Sequence, residues 1–157
     1  MAANSTRERI ILKVIEELSS LVTSGAIRTI SRRLPEGIED LDQYASTQLP
    51  LVVVMGKLPR LIEVHGGNRS NRSADCRLAK WSLPVQIFGY FMDNSDPDST
   101  LSSFADDLFR VLNSDPSKGS LALDTKVSPD TEVGIWDPYV AFRFLAEIQY
   151  VRTLGGI

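Results

Sequence analysis

The chain has 157 residues and a mass of 17.4 kDa, which is room for one domain over 1–157 and too little for a second full one. Its 43% hydrophobic and 24% charged residues place it among globular rather than disordered chains, and a formal charge of −3 argues against a protein whose main work is neutralising phosphate. No run approaches the ~18 consecutive apolar residues of a membrane span, and residues 1–9 lack the apolar core of a signal peptide, so the expectation is a protein that works or assembles in the cytoplasm.

The first element is announced by a capping box, Ser5 with Glu8 three residues on, whose side chains satisfy the free N–H groups of an opening helical turn. Ile11, Val14, Ile15, Leu18, Leu21 and Val22 then recur at helical spacing, which predicts a helix over 7–24 with one buried face and Gly25 as its C-cap. Residues 27–33 alternate and carry β-branched side chains, the pattern of a strand near a sheet edge. Leu34-Pro35-Glu36-Gly37 breaks the chain before an acidic helical turn at 38–43. Between Pro50 and Gly56 the unbroken run Leu51-Val52-Val53-Val54-Met55 reads as a central strand covered on both faces.

Residues 57–80 form a basic loop or hairpin, where Lys57, Arg60, Arg69, Arg72, Arg77 and Lys80 stand against Glu63 and Asp75, a formal +4 inside an acidic chain. Residues 60–65 have the pattern of a short strand, and the Gly-, Asn-, Ser- and Arg-rich stretch 66–73 that of an exposed tip. Leu83, Val85, Ile87, Gly89 and Phe91 alternate with Pro84, Gln86, Phe88 and Tyr90 in a long strand that has Pro84 near its start and ends at Met92. An acidic turn over 93–98 leads to a second helix, capped by Asp98 or Ser99, with Leu101, Phe104, Ala105, Leu108 and Leu112 as its buried stripe. Residues 121–127 read as a strand before a Ser128-Pro129-Asp130 turn, and Val140, Phe142, Phe144, Ala146, Ile148 and Tyr150 line one face of a last strand. The order predicts an α+β fold: a mainly antiparallel twisted sheet of four to five strands with two amphipathic helices on one face. Phe88, Tyr90, Leu145 and Val151 leave the other face more apolar than a solvated face normally is.

Little chemistry is available to such a chain. Its single Cys76 and single His65 give no disulfide framework, too few ligands for a zinc site, and a Cys–His pair that exists only because there is no other. The glycine- and arginine-bearing stretch 66–73 has neither Walker nor dinucleotide spacing, so a solvated or interface loop is the simpler reading. Asp93, Asp96 and Asp98 lack the glycine and terminal glutamate of a calcium loop, and helix capping accounts for them better. Trp81 and Trp136 read as core or interface aromatics, and His65 beside Glu63 and Asp75 has no accompanying nucleophile or oxyanion motif. No catalytic residue, metal ligand or cofactor site is assigned, and function is expected to be spread over surfaces.

The features in order resemble the tail terminator, or tail completion, proteins of long-tailed bacteriophages, in particular the lambda-like minor tail protein U group. The likeness runs over nearly the whole chain. It rests on the opening helix 7–24, the Leu49-Pro50-Leu51-Val52-Val53-Val54 strand, the Leu83-Pro84-Val85-Gln86-Ile87-Phe88-Gly89-Tyr90 strand, the helix with Phe104-Ala105-Asp106-Asp107-Leu108, and the closing Ile148-Gln149-Tyr150-Val151-Arg152. The resemblance implies a non-enzymatic virion protein, assembled in the host cytoplasm into a ring with six subunits as the expected number. That ring would bind the last ring of the tail tube protein, stop polymerisation and present a surface to the head–tail connector. A ring needs two different patches per subunit. Lys57, Arg60, Arg69, Arg72, Arg77 and Lys80 are the candidates for one patch, and Asp93, Asp96 and Asp98 for the complementary one. DNA in the lumen is a second candidate partner for the basic loop, ranked below protein because of the net acidity, and a single-partner neck adaptor is the nearest competing reading.

Overall fold

The computed structural model describes residues 5–36, 38–43, 49–65, 78–93, 96–136 and 139–153. In chain order they form α1 (Thr6–Ser24), β1 (Thr29–Ser31), α2 (Ile38–Asp42), β2 (Leu51–Gly56), β3 (Arg60–His65), β4 (Leu78–Met92), α3 (Pro97–Leu112), β5 (Asp124–Trp136) and β6 (Tyr139–Thr153). The class is α+β. The sheet has six strands rather than the four to five expected, in the order β1-β2-β4-β6-β5, with β3 also on β4. It is mixed, because β1 runs parallel to β2 while the remaining pairs are antiparallel.

The two 15-residue strands β4 and β6 pair along their whole length and form the spine of the molecule. On the other edge of β4, β2 covers the half from Val85 to Tyr90, and β3 covers the half from Leu78 to Ser82. Pro84 therefore lies inside a central strand, not near its start. The carbonyl of Pro84 accepts from the Lys57 N–H at 2.9 Å, and in an antiparallel strand the nitrogen of the same residue faces the same edge. The missing N–H thus falls where the facing chain leaves the ladder between Gly56 and Arg60, so no donor is wasted and one proline is tolerated.

Alternation divides the sheet into two unlike faces. Val52, Val54, Leu83, Val85, Ile87, Phe91 and the even-numbered residues of β6 from Val140 to Tyr150 point to one side, where α1 and α3 cover them. From α1 the buried residues are Ile10, Ile11, Val14, Leu18 and Leu21, so Val22 proves exposed and Ile10 takes a place in the stripe. From α3 they are Phe104, Leu108, Val111 and Leu112. Gly89 makes room for an aromatic stack, since a Cβ there would lie 2.5 Å from the Phe142 ring, which meets Phe104 edge-on at 5.1 Å. On the opposite side there is a smaller cover: Leu41 of α2 and Leu49, just before β2, pack with Leu51, Val53, Tyr90 and Tyr139. This accounts for the apolar Phe88 and Tyr90, whereas Val151 at the far end of that face stays exposed.

Three expected boundaries move. The strand at 27–33 contracts to Thr29–Ser31, a short parallel edge. The strand expected at 121–127 begins at Asp124 and runs to Trp136 straight through the expected turn at 128–130, which becomes a register shift between Pro129 and Val133. The cap of α3 is Asp96, whose side chain accepts from the Ser99 N–H, with Pro97 filling the first turn where its missing donor costs nothing.

Candidate functional site: two charged ends of one sheet

The β4 strand fixes the place of both candidate patches. Lys80 lies on its first half, Arg60 pairs there with Ser82 from β3, and Lys57 stands opposite Pro84 at the joint between β2 and β3. Lys57 and Arg60 are exposed and Lys80 is half-buried. The Arg60 guanidinium reaches Glu147 on β6 at 3.8 Å, a long, solvated contact that holds little energy. Arg7, at the start of α1, donates to the carbonyls of Lys57 at 3.0 Å and Gly56 at 2.6 Å, which pins the joint to the helix layer while leaving the Lys57 side chain outward. Arg69, Arg72 and Arg77 lie outside the described residues, as do the stretch 66–73 and Cys76.

The acidic candidates lie at the other end. Asp93 follows the last residue of β4, and its carboxylate accepts from the Thr100 hydroxyl and, at 3.1 Å, from the Asp96 N–H. Asp96 and Asp98 are exposed in the entry turn of α3, and their negative charge is favourable at that end of the helix dipole. The structure adds a second acidic segment that the sequence left unassigned. Met92 pairs with Tyr139, whose hydroxyl donates to the carboxylate of Asp42; this ties α2, with Glu39, Asp40 and Asp42, to the same end. The neighbouring carboxylate pushes the Tyr139 phenol up from its ordinary value. Arg28, next to β1, is a cation at this end.

The described basic candidates Lys57, Arg60 and Lys80 thus lie along one half of β4, with Glu63 paired opposite Lys80 and Glu147 beside Arg60, and the acidic candidates lie at the far end of the strand. Nine to thirteen strand residues separate the candidates along β4, a path of about 30–43 Å at ~3.3 Å per residue. From 81 to 109 the chain carries five aspartates and no lysine or arginine. The sequence hinted at this split, but only the course of β4 converts it into distance.

Among the remaining candidates, Trp81 packs partly buried against the main core, as a structural aromatic does. His65 and Trp136 have their backbones in β3 and β5, and their side chains lie outside the described ones. Among the described residues no group of three His, Cys, Asp or Glu side chains could hold a metal ion, and no helix is long and apolar enough to cross a membrane. Protein-family models and curated proteins were both compared with the chain, and none matches it.

Proposed function

We propose that this protein is a non-enzymatic, ring-forming assembly protein of the tail-terminator kind, which caps a phage tail tube and joins it to the head connector. The observation that carries the reading is the placement of a basic edge and an acidic end at opposite parts of one long sheet. The candidate cations and aspartates are nine to thirteen residues apart along one strand, a path of about 30–43 Å, so they are placed to meet those of neighbours rather than each other. Contacts between two different patches are heterologous, and a heterologous contact closes into a ring when its rotation divides a full turn.

The test is native mass across a range of protein concentrations, followed by electron microscopy of the largest species. A discrete closed ring is the expected result, with six subunits as the expected number. A monomer at every concentration excludes a pre-formed ring and gives the single-partner adaptor equal rank.

A further inference from the structure

An exposed apolar knuckle stands within the basic edge. Leu58 is 83% exposed at the joint between β2 and β3, and Leu61 and Ile62 follow on β3, each 46% exposed. The register of β3 against β4 shifts between Leu61 and Glu63, so Ile62 is lifted out of the alternation that would otherwise assign it to one face. Leucine and isoleucine side chains this exposed, two of them consecutive on an edge strand and the third just before it, are a liability unless something covers them. Lys57 and Arg60 flank them on one side and Glu63 on the other, with Lys80 paired opposite Glu63 and Glu147 3.8 Å from Arg60, so cations outnumber acids around them. An apolar centre inside a charged rim is the anatomy of a protein contact surface, with the centre holding most of the energy and the rim setting the partner.

The excess of cations in that rim suits an acidic partner surface. The far end of the same strand offers the matching arrangement, an exposed Met92 beside Asp93, Asp96 and Asp98, with the α2 acids tied in through Asp42 and Tyr139. Both surfaces are anchored: the joint by Arg7 on two carbonyls, the acidic turn by the hydrogen bonds of Asp93 and Asp96. We infer that the Leu58–Leu61–Ile62 knuckle is the buried centre of a contact with a second copy of this chain, seated on that copy's Met92 end. The inference rests on the ring reading above and specifies which surfaces make the ring.

Three sets of variants test it, read by native mass over a concentration series with thermal unfolding as the control for folding. Leu58→Ser with Leu61→Ser raises the concentration of half-assembly at least tenfold while the melting temperature moves little, because Leu58 is almost wholly and Leu61 about half exposed. Leu12→Ser, at a position on α1 that is 41% exposed, leaves assembly unchanged. Lys57→Glu and Asp98→Lys each weaken assembly at least fivefold alone, and the two in one chain restore it to within about twofold, since every contact then regains an opposite pair. Rings that survive the knuckle variants, or a charge-swapped chain that does not recover, overturn this contact and leave the ring standing on another surface, with the knuckle free for a different protein. A wild-type chain that is monomeric throughout overturns the contact together with the pre-formed ring.

Discussion

The most buried charge in the described chain is Lys118, and its surroundings explain how a lysine survives there. Its Nζ donates to Glu17 on α1 at 2.8 Å and to the Leu112 carbonyl, one of the acceptors that α3 leaves unmatched at its C-terminus, also at 2.8 Å. The backbone bends to deliver it: Lys118, Gly119 and Ser120 have φ values of 51°, 67° and 70°, with Asp115 accepting from the Ser117 and Gly119 N–H groups. One oxygen of Glu17 is buried without a hydrogen-bond partner, and burial pushes the carboxyl up from its ordinary value against the pull of Lys118. The pair therefore holds loop and helices in one arrangement more than it adds net stability. Glu17→Gln, which leaves the ammonium buried without its counter-charge, is expected to cost about 3–5 kcal/mol, whereas Glu17→Leu with Lys118→Met loses much less. The sign of the pH effect follows from the raised carboxyl. The native state binds the proton more tightly than the unfolded chain does, so this group's contribution falls as pH rises from its unfolded value of 4.5 through the raised folded one, and is level above it. Lys118→Met removes the opposing pull and widens that window upward. Denaturant titrations of wild type and Lys118→Met from pH 4.5 to 7.5 measure it, and equal slopes in the two would refute the assignment.

At the level of elements, the closest packing is where α3 crosses the sheet. Gly89 lies on β4 opposite Phe142 of β6, and Phe104 of α3 comes down onto that ring, with Phe91 stacked 6.0 Å from Phe104 and Phe144 edge-on to Phe142. A Cβ at Gly89 would sit 2.5 Å from one ring and 3.0 Å from the other, and the rings are held by neighbours on each side. Gly89→Ala is expected to destabilise the fold by about 1–3 kcal/mol by overpacking, and Gly89→Ala with Phe142→Leu to recover part of it, in equilibrium unfolding. Elements with a clean period were legible in the sequence: α1, α3, the buried run of β2 and the last strand all depend on local alternation that their own residues state. What was not legible came from partners distant in the chain. Pro84 is a poor strand residue until Lys57 and the joint at 57–59 are placed opposite it, and 78–82 joins β4 only because β3 and β6 flank it on either side. Likewise Ser128-Pro129-Asp130 carries turn chemistry, but pairing with the long β6 carries the strand across it as an irregular register.

For the whole molecule, the relevant quantity is the distribution of charge rather than its sum, because a net −3 conceals a basic edge and an acidic end. The sequence exposed half of this: runs of like charge are visible in one dimension, and Lys57, Arg60, Lys80 and Asp93, Asp96, Asp98 could be chosen from them. It could not show that Glu39, Asp40 and Asp42 join the acidic end, since that depends on Tyr139 pairing with Met92 nearly fifty residues earlier in the chain and bonding back to Asp42. An assembly held by such ends has a definite salt signature. Rim pairs exposed to solvent are screened as the Debye length falls from about 10 Å at 0.1 M to about 3 Å at 1 M, while the apolar centre is not. If the proposed ring forms, raising sodium chloride from 0.1 to 1 M is expected to raise the half-assembly concentration of the wild type several-fold without abolishing the ring. The same change should act far less on the paired Lys57→Gln, Asp98→Asn chain, whose rim has lost a pair. Sodium sulfate, which strengthens apolar burial, should partly offset the loss at equal ionic strength. A contact built on the apolar centre alone predicts no weakening with chloride, and one built on charge alone predicts that sulfate and chloride act alike, so the two salts together separate the centre of the contact from its rim.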